Sequence, residues 1–390
     1  MVKLSRLAEV SLWLNAIFEG AHVPWFGMQL VNGNSLVGCR RDVFSTAQLS
    51  PGRGEKDQPE RDWRCAVPER VNFAGSPKAE QVWHFLLPDS GMASSTDKVV
   101  KSLEPANMAL IKQWRTQFNT PLEKDEIARA QKLSQQVEQL WQQHAQELAR
   151  VRELTSDELH VWPDPAPNRA PTTTGEKDAV WAREMLSERV KNASPYRRLK
   201  LVMDYWCALW FWPVTDAGKL PNREEWWHDL ELLVHGSASL AATPADDMFP
   251  ETVPQARLNL DVERDRYGHV NLDVLLETNE RLRLAQSLAK QHGFLHWELE
   301  FADIFQQRGG FDLILGNPPW IKLEWNEQSL LSDFDPKFAI RNLSATDTAE
   351  SRLSVFLEKP ESRLSYITEC VKQESMQGIT LMPGRTIRCS

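Results

Sequence analysis

Residues 311–320 read Phe-Asp-Leu-Ile-Leu-Gly-Asn-Pro-Pro-Trp, and this stretch narrows the choice of fold more than any other. Phe311 to Leu315 is a short apolar run set off by the turn pair Gly309-Gly310. Such a run suits a parallel strand buried on both faces. Gly316 then lets the chain turn tightly. Asn317-Pro318-Pro319-Trp320 falls just past the strand's carboxyl end, where open α/β sheets place their ligands.

Each residue of that loop has a chemical use. An amino group on a heteroaromatic ring is a poor nucleophile, because its lone pair is delocalised into the ring. Two acceptors aimed at its N–H bonds would localise that pair. The side-chain amide oxygen of Asn317 is one such acceptor, and the backbone carbonyl of Pro318 is the other. Pro318 and Pro319 fix φ at two successive positions, so the acceptors stay aimed. Trp320 offers a flat face on which a base turned out of a duplex can stack. Asn317 is not a general base, so the chemistry would be positioning and electrostatics, with the proton leaving late to solvent. The same four residues also read as an ordinary proline turn.

The chain has 390 residues, room for more than one domain, and a composition close to a soluble globular average. Its net charge of −9 excludes a protein that coats nucleic acid through a basic surface, though not a local basic groove. Cys39, Cys65, Cys207, Cys370 and Cys389 are scattered with no C-x-x-C spacing, which predicts a reducing, cytoplasmic setting without a disulfide framework or zinc ribbon. The longest apolar run, Tyr205 to Val214, is too short to span a bilayer. Lys3 and Arg6 precede an apolar stretch, but Glu9 and Asn15 interrupt it, so a helix is expected there rather than a signal peptide.

Periodicity predicts an amphipathic helix over residues 3–18, with Leu4, Leu7, Ala8, Trp13 or Leu14, and Ile17 or Phe18 on one face. Phe26 to Leu30 reads as a short strand ended by Asn32-Gly33-Asn34. Residues 50–65 read as a loop and 97–120 as a helix. Over 123–153, Ile127, Ala130, Leu133, Val137, Leu140, His144, Leu148 and Val151 recur at three- and four-residue steps, which predicts a long coiled-coil-like arm. A proline-rich linker spans 163–174, helix returns over 176–212 and 223–234, and 235–255 is loop-like. Trp206, Trp210 and Trp212 lie within two turns, and read either as a platform for bases or as buried core. Arg197, Arg198, Lys191 and Lys200 read as a phosphate contact or as a solvated face. His296, Glu298 and Glu300 at two-residue spacing would share one face of a strand, but no third ligand type stands nearby in sequence, and no metal site is expected.

The 311–320 segment resembles motif IV of the amino-methyltransferases, which use S-adenosylmethionine (SAM) on a Rossmann-like sheet. Asn-Pro-Pro occurs both in adenine-N6 DNA methyltransferases and in protein glutamine N5-methyltransferases. Residues 6–38, Met203 to Pro213 and Phe294 to Phe301 are similar to the large DNA methylases of fused restriction–modification enzymes and of BREX- or DISARM-like phage defence. The long stretch between Asn34 and Asn317 is similar to the helical insert of that group, for which a compact glutamine methyltransferase has no room.

The resemblance implies a partial Rossmann-like α/β fold interrupted by a mainly helical insert. Residues 1–50 and 290–345 would form the methyltransferase part, 51–289 the insert, and 346–390 a helical or irregular tail. It implies SAM as cofactor and, as partner, double-stranded DNA with a flipped adenine, with other subunits of a defence system left open. Asn317, Pro318, Pro319 and Trp320 are the catalytic candidates, and Asn34, near the motif III position, is the cofactor-side candidate. The departures are equally specific. No G-x-G follows an apolar strand, so SAM binding by this chain alone is not expected. Leu381 to Ser390 resembles nothing in the group, but a neighbouring-frame back-translation does, which predicts a frameshift near residue 380 and an internal fragment. A non-catalytic helical interaction module, or an enzyme borrowing its SAM loop from another chain, are the alternatives.

Overall fold

The computed structural model describes residues 2–17, 24–50, 59–72, 75–157, 172–185, 192–235, 269–316, 325–341 and 343–380, with the side chains of 2–6, 16 and 345 set aside. Helix α1, Val2–Ala16, forms where the periodicity places it. Its apolar face is not buried: Leu7, Val10, Leu14 and the following Ile17 are exposed. An amphipathic stripe needs a surface to cover it, and the described residues present none there. The strand expected at Phe26 to Leu30 is a turn instead, with the N–H groups of Gln29 and Leu30 donating to the Phe26 carbonyl at 3.2 and 3.4 Å. Local bonds satisfy a backbone that has no described strand beside it.

The sheet is small and antiparallel. Strands β1 (Asp42–Ser45), β2 (Glu69–Arg70) and β3 (Gln81–Trp83) lie in the order β2-β1-β3. Val43 faces both Glu69 and Trp83, and Phe44 faces Val82. These strands are too short to show alternation, so periodicity could not find them. Helix α2 (Thr46–Leu49) follows β1 directly through a capping box of Ser45 and Gln48.

The helix expected over 97–120 is two helices, α3 (Lys98–Leu103) and α4 (Pro105–Phe118). Pro105 lacks an N–H and forces Glu104 out of the helical region, to φ −126° and ψ 55°. Helix α5, Lys124–Thr155, is 32 residues long. Its buried stripe contains Ala130, Leu133, Val137, Trp141, His144, Leu148 and Val151. Helices α6 (Thr174–Met185), α7 (Pro195–Ala208) and α8 (Arg223–His235) pack against α5. The stripe read as a coiled-coil-like seam is thus turned inward on its own chain.

Helix α7 begins at Ser194, whose hydroxyl accepts from the Arg197 N–H, with Pro195 at the first helical position. Trp206, Trp210 and Trp212 are all buried. The indole N–H groups of Trp206 and Trp212 donate to the carbonyls of Leu87 at 2.8 Å and Asp216 at 2.9 Å. The cluster is core, with Trp206 and Trp210 also lining part of a cavity. The cations beside it are committed as well. Arg197 pairs with Asp273, Arg198 is buried on the carbonyls of Leu233 and Asn192, and Lys200 holds Asp204 at 3.0 Å. Lys191 lies outside the described residues, as does most of the 163–174 linker and the 235–255 loop.

The rest is helical: α9 (Leu272–Thr278), α10 (Glu280–His292), α11 (Trp297–Glu300), α12 (Ala302–Arg308), α13 (Glu327–Ser332), α14 (Lys337–Ile340), α15 (Ala345–Glu358) and α16 (Pro360–Thr380). Gly293, at φ +65°, caps α10 in the left-handed region that glycine adopts without strain. One hydrophobic cluster joins residues from Met28 to Ile379.

Among the described residues the parallel α/β sheet expected from Phe311 to Leu315 is not present, and the fold is mainly helical. That run has no regular structure, and Leu313, Ile314 and Leu315 are 71%, 80% and 84% exposed. A buried parallel strand needs neighbours for its backbone and layers over both faces. The described residues supply neither.

Candidate active site

Asn317, Pro318, Pro319 and Trp320 lie outside the described residues. The two flanks of their loop are described, and both are held by aromatic rings. On the near side, Phe311 packs edge-on against Phe301 and Phe305, with ring centroids 5.1 and 5.6 Å apart, and Asp312 pairs with Arg308 of α12. On the far side, Trp325 stands perpendicular to Tyr366 of α16 at 5.3 Å. Such edge-to-face pairs contribute about 0.5–1.5 kcal/mol each beyond the area they bury.

Asn34 is described, and it sits beside the run-in to this loop. Its N–H donates to the Gly293 carbonyl at 2.6 Å, and it forms an isolated parallel bridge with Phe294. Its side-chain oxygen accepts from the Leu36 N–H at 3.1 Å, and its amide nitrogen approaches Met376 Sδ at 3.7 Å. The amide of Asn34 is therefore engaged within the protein, by a turn and by α16.

From Asn34 onward, two chain segments remote in sequence run side by side. The Leu295 N–H donates to the Val37 carbonyl at 2.8 Å. The Cys39 N–H donates to His296 Nδ1 at 2.9 Å, and the Arg41 N–H donates to Glu298 Oε2 at 2.6 Å. Close approach needs Gly38, because a Cβ there would run into the Leu295 carbonyl oxygen. Sequence reading could not find this pairing, since the bonds are backbone-mediated and carry no motif.

His296, Glu298 and Glu300 do not share a strand face. His296 caps the short helix α11, and each of the three side chains takes a different partner. Since Nδ1 of His296 accepts a hydrogen bond from the Cys39 N–H, Nε2 carries the ring proton and donates to Asp204 Oδ1 at 2.9 Å. Glu298 also pairs with Arg70, and burial still pushes its carboxyl above the usual range. Glu300 accepts from the Tyr196 hydroxyl at 2.8 Å, and burial raises it too. Arg41 lies beside the pair of rings of Trp83 and Trp141, 5.2 and 5.1 Å from centroids that are 6.1 Å apart, with its guanidinium on Glu138 at 3.3 Å. This hub is largely buried, and most of its polar atoms are paired within the protein, Arg41 Nε excepted.

A cavity of about 270 Å³ opens elsewhere, against Phe44, Trp63, His84, Trp206 and Trp210, and none of residues 293–316 lines it. Among the described residues no helix is long and apolar enough to cross a membrane.

No curated protein and no solved structure matches the chain. The family model described as Eco57I restriction-modification methylase matches residues 235–369, a stretch that encloses the Asn317 to Trp320 loop and both aromatic anchors. This likeness supports a DNA methyltransferase domain of the restriction–modification type in that stretch.

Proposed function

We propose that the chain serves SAM-dependent methylation of the adenine N6 amino group in DNA, in a restriction–modification or phage-defence setting in the cytoplasm. The observation that carries the reading is the methylase match over residues 235–369, which encloses Asn317-Pro318-Pro319-Trp320. Asn317 and the Pro318 carbonyl would accept the two amino N–H bonds, Pro319 would hold them aimed, and Trp320 would stack the flipped adenine. The pairing of 34–41 with 293–298 is consistent with residues 1–50 and 290–345 forming the methyltransferase part, with 51–289 as its helical insert.

The described residues do not form a cradle for SAM. Asn34, the cofactor-side candidate, has its amide committed to Leu36 and Met376, and no described glycine-rich loop follows a strand.

The test is methyl transfer to duplex DNA by the protein, with and without Asn317→Ala. Loss of transfer with retained DNA binding supports the reading, and unchanged transfer rejects the site. Methylation of a protein glutamine instead of DNA would favour the glutamine N5-methyltransferase reading. The exposed faces of α1 and of residues 313–315 favour a second reading, a helical interaction module that binds a partner without catalysis. That reading predicts partner binding that is indifferent to Asn317→Ala.

A further inference from the structure

Three side chains that are far apart in sequence meet in the core beneath the 34–41 pairing. Cys39 lies just before β1, Cys207 lies in the last turn of α7, and His296 caps α11. Their ligand atoms all lie within 4.8 Å of one another, and all three residues are buried. The two sulfurs are 3.7 Å apart. Two thiolates on a tetrahedral zinc ion, at about 2.3 Å each, stand about 3.8 Å apart.

The histidine is already in the form that a metal takes. Its Nε2–H is donated to Asp204, which leaves Nδ1, on the Cys39 side, without a proton of its own. A carboxylate on the far nitrogen of a ligating histidine fixes the tautomer and the ring, and is a common outer partner of metal sites. Asp204 is in turn held by Lys200 at 3.0 Å through both oxygens, so its charge is balanced.

We propose that Cys39, Cys207 and His296 Nδ1 bind one soft divalent cation of the zinc class, as a structural site that ties α7 and α11 to the segment leading into β1. Binding exchanges two thiol protons for the metal, M²⁺ + 2 RSH → M(SR)₂ + 2 H⁺, so the buried site stays neutral. The Cys39 N–H gives up its bond to Nδ1 and turns to thiolate sulfur. The Met203 carbonyl oxygen, 3.6 Å from Cys39 Sγ, or a water completes the fourth position. The proposal stands independently of any catalytic function.

The test is a cobalt(II) titration of the reduced, metal-stripped full chain, read by absorption. The expected result is one cobalt per chain, a thiolate-to-cobalt charge-transfer band in the near ultraviolet, displacement by zinc, and release of two protons. Cys65→Ser, at an exposed thiol, leaves the band unchanged. Cys207→Ser abolishes it, and Asp204→Asn weakens cobalt binding about 10- to 100-fold while keeping the band. The wild-type titration decides the matter even if a core variant fails to fold. Absence of the band, or its survival in a folded Cys207→Ser chain, overturns the proposal. So does a Cys39–Cys207 disulfide formed with peroxide in a chain that takes up no metal, which would make the sulfurs a redox pair instead.

Discussion

Gly38 lies flush against Leu295. A Cβ at position 38 would strike the Leu295 carbonyl oxygen, and the Leu295 N–H is tied to the neighbouring Val37 carbonyl at 2.8 Å. Gly38→Ala must push the two backbones apart, a change that costs about 1–3 kcal/mol in well-packed sites. The expected outcome is a lower midpoint in urea unfolding with an unchanged slope. A variant as stable as the parent would mean that the two segments have slack between them.

His144 governs part of the acid response. It is buried, its Nε2 is 2.8 Å from the Leu299 carbonyl, and its Nδ1 has no partner. Burial pulls its pKa from 6.5 to about 4, so the unfolded chain takes up a proton in that window and the folded chain does not. Stability is therefore present above pH 6.5 and falls as the pH drops towards 4, by up to about 3 kcal/mol. Glu298 and Glu300, raised by burial, act in the opposite sense at the acid end. The comparison of wild type with His144→Gln cancels their contribution. The variant's unfolding free energy should fall less steeply from pH 6.5 to 4, and equal slopes would falsify the assignment.

Arg41, packed against two indole rings, holds Glu138 inside the core. Arg41→Ala leaves that carboxylate buried without its cation, a loss of about 3–5 kcal/mol. Arg41→Lys keeps the charge but loses the flat stacking surface, and should cost about 1–2 kcal/mol. Thermal unfolding of the two variants would rank them in that order. A reversed order would point to packing alone.

Leu313, Ile314 and Leu315 are exposed beside the loop. Replacing all three with serine should leave the helical circular dichroism and the melting temperature of this chain unchanged, and reduce its self-association in light scattering. A drop in the melting temperature of this chain would show that the run is packed after all.

On the proposed function, Asn317→Ala should lower methyl transfer about 100-fold or more, the effect of removing one aimed polar contact at a reacting centre. Asn317→Asp keeps an acceptor and should retain part of the activity. Radiolabelled methyl incorporation into DNA measures both. Equal activity of the alanine and aspartate variants would remove the acceptor role from residue 317.

Helices were legible in the sequence because their bonds are local. The three- and four-residue repeat of Ile127 to Val151 marks the helix Lys124–Thr155, whereas the helix expected over 176–212 is in two parts, α6 to Met185 and α7 from Pro195. The 97–120 stretch, read from periodicity as one helix, divides at Pro105. Residue type did not decide what each apolar face would meet. The stripe of α1 and the run Leu313 to Leu315 have core composition and are exposed, while the Trp206, Trp210 and Trp212 cluster is buried. Only tertiary structure brought Cys39, Cys207, Asp204 and His296 together, and only it set Gly38 against Leu295. The physical reason is range. A helix closes its hydrogen bonds within four residues, whereas a strand, a buried charge or a ligand cluster is completed by groups that the chain must bring from far away.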